Sequence, residues 1–307
     1  MTQYEKFSFA RMNRRSIDER KSKVKTEYFA SPSQKSELQP FGKKLPKILA
    51  AQELLEFADR MMKARESGKT ILFMFGGHVI KCGLAPVLSD LARRGYISAI
   101  AGNGSVIIHD TEIALFGETS ETVENELDDG MFGMTIETAD FLNNAQKEAH
   151  SKDMGFGETV GRLLSDAPYR QHSILWNMHN MKLPMTIHPL LGAEVIHPHP
   201  GFSGEALGGA AFNDFSIFTK IVSTLKDGIV INFGSAVVMP EIFLKALSAA
   251  RNIGIDVSGF SAANFDQIQH YRPFQNILKR PTQTGGKAYA FTGHHEIMMP
   301  LLAGLLE

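Results

Sequence analysis

The chain has 307 residues, of which 43% are hydrophobic and 21% charged, a composition that is ordinary for a globular protein. Its formal net charge of −1 at pH 7 gives no global basic field, so we expect neither nucleic acid nor a membrane as a partner. The single cysteine, Cys82, excludes a disulfide framework and a cysteine-based zinc cage. No apolar run approaches the roughly 18 residues of a membrane helix, and no signal-peptide stretch opens the chain, so the expected location is the cytoplasm.

The N-terminal part differs from the rest, and we predict an extension at residues 1–45 ahead of one domain at 46–307. Seven basic residues crowd together there, namely Arg11, Arg14, Arg15, Arg20, Lys21, Lys23 and Lys25. Ser31-Pro32-Ser33 and Pro40 follow them. One hypothesis is an arm that binds RNA or a partner. We favour a solvated extension that packs on a neighbouring subunit, because basic clusters are commonly just solvated.

From Pro46 onward, hydrophobic periodicity and turn residues predict alternating helices and strands. In chain order these are helix 48–63, strand 70–75, helix 79–94, strand 97–101, helices 132–149, 160–164 and 171–181, strands 184–188 and 194–197, helix 206–225, strand 228–233, a helix opened by Pro240, strands 255–260 and 287–291, and helix 296–306. This order predicts a single Rossmann-like α/β domain, with a doubly wound, mostly parallel sheet and helices on both faces.

Glycine-rich turns follow three of the predicted strands: Gly76-Gly77, Gly102-Asn103-Gly104 and Gly234-Ser235-Ala236. Ligands of open parallel sheets bind at the carboxyl ends of the strands, where glycine lets the backbone approach a phosphate. None of the turns is a dinucleotide fingerprint or a phosphate-binding Walker loop, and any α/β protein needs glycines at such turns. Three such turns at strand ends favour a ligand.

Polar side chains cluster at 102–117, just beyond a predicted strand. Asn103, His109, Asp110 and Glu112 lie there. An acid beyond a strand can bind ribose hydroxyls, and a histidine beside an aspartate can transfer protons. The alternative is helix capping by Asp110 with a surface histidine.

Histidines are concentrated at other predicted element ends, namely His188, His197, His199 and the pair His294-His295. His197 and His199 share one face of an extended segment, a spacing that is compatible with a metal. No zinc-protease pattern occurs, so we expect substrate or cofactor contacts and no metal site. Glu205 and Asp266 each lie on a loop of small residues, and the polar run 261–273 would suit adenosine or a polar substrate.

Taken together, these loops resemble deoxyhypusine synthase, a family that uses NAD to oxidise spermidine and transfers an aminobutyl group to a lysine. KTILFMFGGHVIKCGLAPVLSDLARRGYISAIAGNGSVIIHD resembles the family's first glycine strand end, helix and NAD-contacting turn, with His109-Asp110 where the family has acidic residues. GSAVVMPEIF resembles its glycine-rich loop, SAANFDQIQHYRP its cofactor loop with Ala262, Phe265 and Asp266 kept, and GGKAYAFTGHHEIMMPLLAG its closing strand and helix, where the family binds the adenine end.

The departures from the family concern catalysis. The family's imine-forming lysine falls at Met239, and its catalytic histidine falls near Asp214. Methionine cannot form an imine, so the resemblance implies the fold and NAD site without true deoxyhypusine synthesis. AGNGSVIIHDTEIALFG is also similar to NAD-binding ornithine-cyclodeaminase-like domains, which oxidise an amine without an enzyme imine.

We therefore predict an NAD-dependent enzyme that oxidises a small amine, either a polyamine or a basic amino acid. The expected cofactor contacts are Gly76, Gly77, Asn103, Gly104, Gly234, Ser235, Ala262 and Asp266. The expected residues for proton transfer or substrate are His109, Asp110, Glu205, Asp214 and His197. If an enzyme imine does form, Lys81 and Lys245 are the alternative nucleophiles. We expect both lysines to lie on exposed helix faces. The resemblance also implies a homotetramer with cofactor sites between subunits. The rival hypotheses are a non-catalytic NAD-binding protein and a metal-dependent hydrolase that uses His197 and His199.

Overall fold

The computed structural model describes residues 7–32, 41–42 and 44–306, so Ser33 and Pro40 of the N-terminal part lie outside the described residues. Two short strands, β1 (Val24–Lys25) and β4 (Glu118–Thr119), pair with each other in antiparallel fashion. The main sheet has six strands: β2 (Ile71–Phe75), β3 (Ala99–Asn103), β5 (Met185–His188), β6 (Ile229–Phe233), β7 (Ser261–Asp266) and β8 (Lys287–Thr292). Its order is β5-β3-β2-β6-β7-β8, and every pairing is parallel. The direction of winding reverses between β2 and β6.

The helices, in chain order, are α1 (Leu49–Glu66), α2 (His78–Lys81), α3 (Ala85–Arg93), α4 (Gly104–Phe116), α5 (Val123–Asp128), α6 (Ile136–Ser151), α7 (Phe156–Leu163), α8 (Ile174–Asn180), α9 (Gly204–Val222), α10 (Val238–Asn252) and α11 (His295–Leu305). A single turn at Tyr271–Pro273 leads into a π-helical segment, Phe274–Lys279.

Hydrophobic cores lie on both faces of the sheet. Phe73 of β2 packs with α1 on one face, while Met74 belongs to the core that α9 and α10 cover on the other. Alternate residues of a strand point to opposite faces, so a strand that is buried on both sides must be apolar throughout. All five residues of β2 are buried, which fits this requirement. The predicted doubly wound α/β fold is confirmed.

Several predicted boundaries are wrong for reasons of packing. The helix predicted at 79–94 is two helices, because the chain turns at Gly83, where φ is +70° and a side chain would come 2.9 Å from the backbone of Phe29. The segment 194–197 forms turns and not a strand. The strand predicted at 255–260 begins only at Ser261, because Gly259 has a φ of +72°, which an extended strand does not accommodate.

Gly102-Asn103-Gly104 is not a turn. Gly102 and Asn103 complete β3, and Gly104 is the first residue of α4. A side chain on Gly102 would lie 2.9 Å from the side chain of Val106, so glycine permits the close contact between this strand and the helix that follows. The polar cluster at 102–117, for which no helix was predicted, therefore lies mostly on a helix, whose residues face different directions.

The basic N-terminal segment packs on its own chain. The Arg20 guanidinium binds both carboxylate oxygens of Glu112 at 2.8 and 2.9 Å, and both side chains are 3% exposed. Arg15 pairs with Glu121 and Glu126 at 3.1 and 2.6 Å. The expectation of a solvated extension is wrong for these arginines, because carboxylates of the same chain neutralise them. The division of the chain at residue 45 stays a prediction.

Candidate functional site

The carboxyl ends of the parallel strands bring most of the predicted cofactor contacts to one edge of the sheet. Gly76-Gly77 follows β2, Asn103 ends β3 beside Gly104, Gly234-Ser235 follows β6, and Asp266 ends β7. Ala262 is the exception: as the second residue of β7 it is fully buried in the core, far along the strand from this edge. The structure therefore does not place Ala262, a predicted cofactor contact, at this edge.

From the sequence we expected the glycines at this edge to leave the backbone bare for a phosphate. In the structure, side chains of the same chain lie against them. A side chain on Gly77 would lie 2.5 Å from Ser105 Oγ, and one on Gly234 would lie 2.3 Å from the His295 ring. A side chain on Gly104 would meet the Glu194 carboxylate at 2.2 Å. These glycines make room for polar side chains of the same chain, and a ligand at this edge would contact those side chains.

Buried polar atoms without a well-oriented hydrogen-bond partner lie at this edge. His295 is 2% exposed, and no described residue makes a well-oriented hydrogen bond to either ring nitrogen, although the nearby Phe265 backbone partly opposes the lowering of its pKa. Its Nε2 lies 3.9 Å from Asp266 Oδ1, and Asp266 Oδ2 is also unpartnered. Burial lowers the pKa of His295, so the ring is neutral at pH 7 and offers one donor and one acceptor. Because unpaired buried polar groups destabilise a protein, this pair fits the hydroxyl and phosphate groups of a dinucleotide.

A cavity of about 210 Å³ adjoins this edge along α4. Its polar lining comprises Arg20, Lys81, Ser105, His109, Glu112, Ser120, Glu121, Thr135, Thr138 and Glu194. Ser105, which also packs against Gly77, connects the cavity to the strand ends. Ligand sites for drug-sized molecules span roughly 300–1,000 Å³, so this cavity suits a small molecule beside a dinucleotide and not the dinucleotide itself. Lys81 is half-buried in this lining, which corrects the expectation of an exposed helix face.

His109 is the predicted catalytic residue that lines this cavity. Its Nδ1 lies 2.8 Å from Thr119 Oγ1, and Thr119 Oγ1 lies 2.5 Å from Glu112 Oε2. Burial lowers the pKa of His109 to about 4, and the opposing charge of Glu112 does not offset this effect. The imidazole is therefore neutral at pH 7, the state in which histidine accepts a proton.

Three glutamates line the same cavity, and the surroundings shift their pKa values in different directions. Burial would raise the pKa of Glu112, but the Arg20 guanidinium outweighs burial and holds this pKa below its usual range. Burial raises the pKa of Glu194, whose Oε1 accepts the Leu190 backbone N–H at 3.3 Å and no other hydrogen bond from the described residues. Burial also raises the pKa of Glu121. Glu194 is thus the acid with most capacity left for a ligand.

Asp110, adjacent to His109 in the sequence, has a structural role. Its carboxylate accepts hydrogen bonds from Ser173 Oγ at 2.5 Å and from the backbone N–H groups of Ile174 and Leu175 at 2.8 and 3.0 Å. It therefore caps α8 and does not line the cavity, so the structure does not support the predicted role of Asp110 in proton transfer there. Helix capping by Asp110 was the alternative hypothesis from the sequence. The helix that it caps is α8, which lies more than 60 residues further along the chain. Burial raises the pKa of Asp110 to about 6.

We expect Asp110→Ala to lower the free energy of unfolding by about 2–3 kcal/mol, because it removes the acceptor of three buried donors at the start of α8. Urea unfolding measures this loss. The control is Asp59→Ala, which removes a partly exposed carboxylate on α1. A variant that keeps its stability but loses ligand affinity would contradict the capping role.

The remaining predicted catalytic residues lie away from His109. Asp214 accepts the N–H groups of Gly157 and Ile187 at 3.0 and 2.9 Å and lines a separate cavity of about 380 Å³ beside β5. Burial raises its pKa to about 7. Glu205 is exposed in the first turn of α9. These two do not line the cavity that His109 lines, so the structure does not support their predicted roles there.

His197 and His199 hold loops in place. His197 Nδ1 accepts the N–H groups of Gly192 and Glu194 at 3.1 and 3.4 Å. His199 Nε2 lies 2.9 Å from the Gly133 carbonyl oxygen, to which it donates. Neither lines the cavity, which corrects the prediction for His197, and in the part of the chain that the structure describes no cluster of three or more metal-ligating side chains occurs.

The structure also places Met239, which stands at the family's lysine position, and Lys245, which was one of the alternative nucleophiles. Met239 is fully buried beneath the Gly234-Ser235 turn, and its backbone N–H donates to Ser235 Oγ at 3.2 Å. Lys245 pairs with Glu241 at 2.8 Å on an exposed face of α10, as expected.

The parallel sheet, its winding reversal and the ligand edge together define a Rossmann-type α/β protein. A family model described as "Arginine dihydrolase ArgZ-like, C-terminal, Rossmann fold" matches residues 55–136. No curated protein sequence matches the chain. Across the described residues, no helix is both long and apolar enough to cross a membrane.

Solved structures share this fold at low sequence identity. The ternary complex of AgrE with ornithine and NAD+ has a TM-score of 0.52 at 13% identity, over 83% of this chain and 32% of that one. A conserved LOR/SDH protein from Methanococcus maripaludis S2 has a TM-score of 0.51 at 16% identity, over 90% of this chain and 73% of that one. A protein from Entamoeba histolytica that is assigned as a deoxyhypusine synthase has a TM-score of 0.51 at 10% identity, over 90% of this chain and 96% of that one. The chain spans about a third of AgrE, and at these identities the likeness shows the fold alone.

Proposed function

We propose that the protein is an NAD-dependent enzyme that oxidises a small amine, such as a basic amino acid or a polyamine, in the cavity along α4. The observation that carries this proposal is the position of the neutral His109 in a small, acid-lined cavity beside the carboxyl ends of β2 and β3. The AgrE structure of the same fold contains ornithine and NAD+, which supports the choice of cofactor and substrate class.

The residues that would hold the dinucleotide are Ser105, Asp266 and His295 at the strand ends. NAD, when bound, supplies a hydride acceptor for the carbon that carries the nitrogen. Glu194 would bind the ammonium group of the substrate, because its carboxylate has few protein donors. His109 would then take a proton from this nitrogen and free the lone pair that must move toward carbon as the carbon–hydrogen bond breaks.

Transfer through an enzyme imine, as in deoxyhypusine synthase, is not part of the proposal. Met239 stands at the family's lysine position and is fully buried, so it offers neither an amine nor access to a substrate. The homotetramer implied by the resemblance stays a proposal. A non-catalytic NAD-binding protein remains the rival, and catalytic turnover distinguishes the two.

We expect NAD to stabilise the protein in a thermal-shift assay, by roughly 2.7 kcal/mol at a hundredfold excess over the dissociation constant. The same preparation should reduce NAD in the presence of one member of a panel of spermidine, putrescine, ornithine and arginine, measured by the absorbance of the reduced dinucleotide. NADP serves as the parallel ligand. Binding without turnover of any amine would favour the non-catalytic rival, and absence of binding would overturn the proposal.

A further inference from the structure

A series of hydrogen bonds joins the cavity to the buried Arg20–Glu112 ion pair through Thr119. Thr119 is fully buried, and its Oγ1 lies 2.8 Å from His109 Nδ1 and 2.5 Å from Glu112 Oε2. A hydroxyl has one proton to donate and lone pairs to accept with. Thr119 can therefore donate to one of these two neighbours and must accept from the other.

Glu112 determines the direction of both bonds. Arg20 binds its two carboxylate oxygens, and Thr138 Oγ1 donates to Oε1 at 2.8 Å. Although burial opposes ionisation, the guanidinium holds the pKa of Glu112 below its usual range, so this carboxylate is ionised at pH 7. An ionised carboxylate only accepts hydrogen bonds, so the Thr119 hydroxyl donates to Glu112.

We propose that Thr119 is a positioning residue that fixes the tautomer of His109, with the hydrogen on Nδ1 and the lone pair of Nε2 directed to the cavity ligand. Because the Thr119 proton is committed to Glu112, the His109–Thr119 bond requires Nδ1 to be the donor. His109 is neutral, so Nε2 then carries no hydrogen. No described residue forms a hydrogen bond to Nε2, which leaves its lone pair for a molecule in the cavity. Only the use of this lone pair as a catalytic base rests on the proposed function.

The test is the tautomer itself, read from the side-chain nitrogen shifts of His109 in long-range ¹H–¹⁵N spectra of the full chain labelled at histidine. His109→Gln identifies the signal. The wild type should show the hydrogen on Nδ1, and Thr119→Ser, which keeps the hydroxyl, should show the same. Thr119→Val should remove this preference, so that Nε2–H becomes the major form or the two forms mix.

Thr138→Val is the matched control, because Thr138 donates to the same carboxylate but does not contact His109. It should destabilise the protein to a similar extent and leave the His109 signal unchanged. A wild-type His109 with its hydrogen on Nε2 would overturn the proposal, and so would an unchanged tautomer in Thr119→Val. The spectra need no NAD or substrate, so a protein without amine oxidation would still confirm or refute the role of Thr119.

Discussion

Replacing Arg20 by methionine should lower the free energy of unfolding by about 3–5 kcal/mol, the usual cost of leaving a buried charge without its partner. Arg20 and Glu112 are each 3% exposed, so removal of the guanidinium leaves the Glu112 carboxylate buried without its counter-charge. Equilibrium unfolding in urea measures the change. The double variant Arg20→Met with Glu112→Gln should regain most of the loss, because a neutral amide needs no counter-charge and still bonds to Thr138 and Thr119.

The matched control for Arg20 is Lys245→Met, which breaks the exposed pair with Glu241 on α10. Exposed pairs contribute roughly 0–1 kcal/mol, so this variant should be close to the wild type. If Arg20→Met cost no more than Lys245→Met, the N-terminal segment would not pack against α4 as described, and the series of bonds that ends at His109 would lack its anchor.

Replacing His109 by glutamine should reduce amine-dependent reduction of NAD by about 10²–10⁴-fold, the usual contribution of a general base. Glutamine is similar in size and keeps a polar group near Thr119 but cannot take up a proton at neutral pH. The affinity for NAD should change little, because the cofactor contacts proposed above do not include His109. Steady-state rates with the amine that the panel identifies, together with a calorimetric titration of NAD, measure both quantities.

The pH profile provides an independent check on His109. Because burial lowers its pKa to about 4, the base is already neutral above that pH, and its own protonation should suppress the rate only as pH falls through about 4. His179→Gln is the control, since His179 lines the separate cavity beside β5. An inflection near the unperturbed histidine pKa of about 6.5 that His109→Gln abolishes would contradict the buried, neutral base.

The parallel sheet could be predicted from the sequence, because apolar strands that end at glycine can be recognised within short segments of the chain. Parallel strands bring their carboxyl ends together, so the predicted ends of β2 and β6 were enough to place Gly76 and Gly234 at one edge. Ala262 was predicted at a strand end because the strand was predicted six residues too early, at 255–260. In the structure β7 begins at Ser261, so Ala262 lies near the start of the strand.

The candidate site was harder to predict, because it depends on contacts between distant residues. His109 and Asp110 are adjacent in sequence, but successive residues of a helix point about 100° apart, so one lines the cavity and the other caps α8. No helix was predicted at 102–117, so this difference in direction could not be derived from the sequence. Thr119 and Arg20 carried no sequence signal, because their roles arise only when β4 and the N-terminal segment pack against α4. The histidine pair at 294–295 was noticed, but nothing in the sequence indicated that the His295 ring is buried with no well-oriented hydrogen bond from the described part of the chain.

The structure of the protein crystallised with NAD tests most directly whether the strand ends bind a dinucleotide next to an amine cavity. We expect the dinucleotide along the carboxyl ends of β2 and β6, in contact with Ser105 and His295, with its nicotinamide ring at the cavity that His109 lines. A dinucleotide bound elsewhere, or crystals in which the carboxyl ends of β2 and β6 hold no dinucleotide at saturating NAD, would contradict the proposed enzyme.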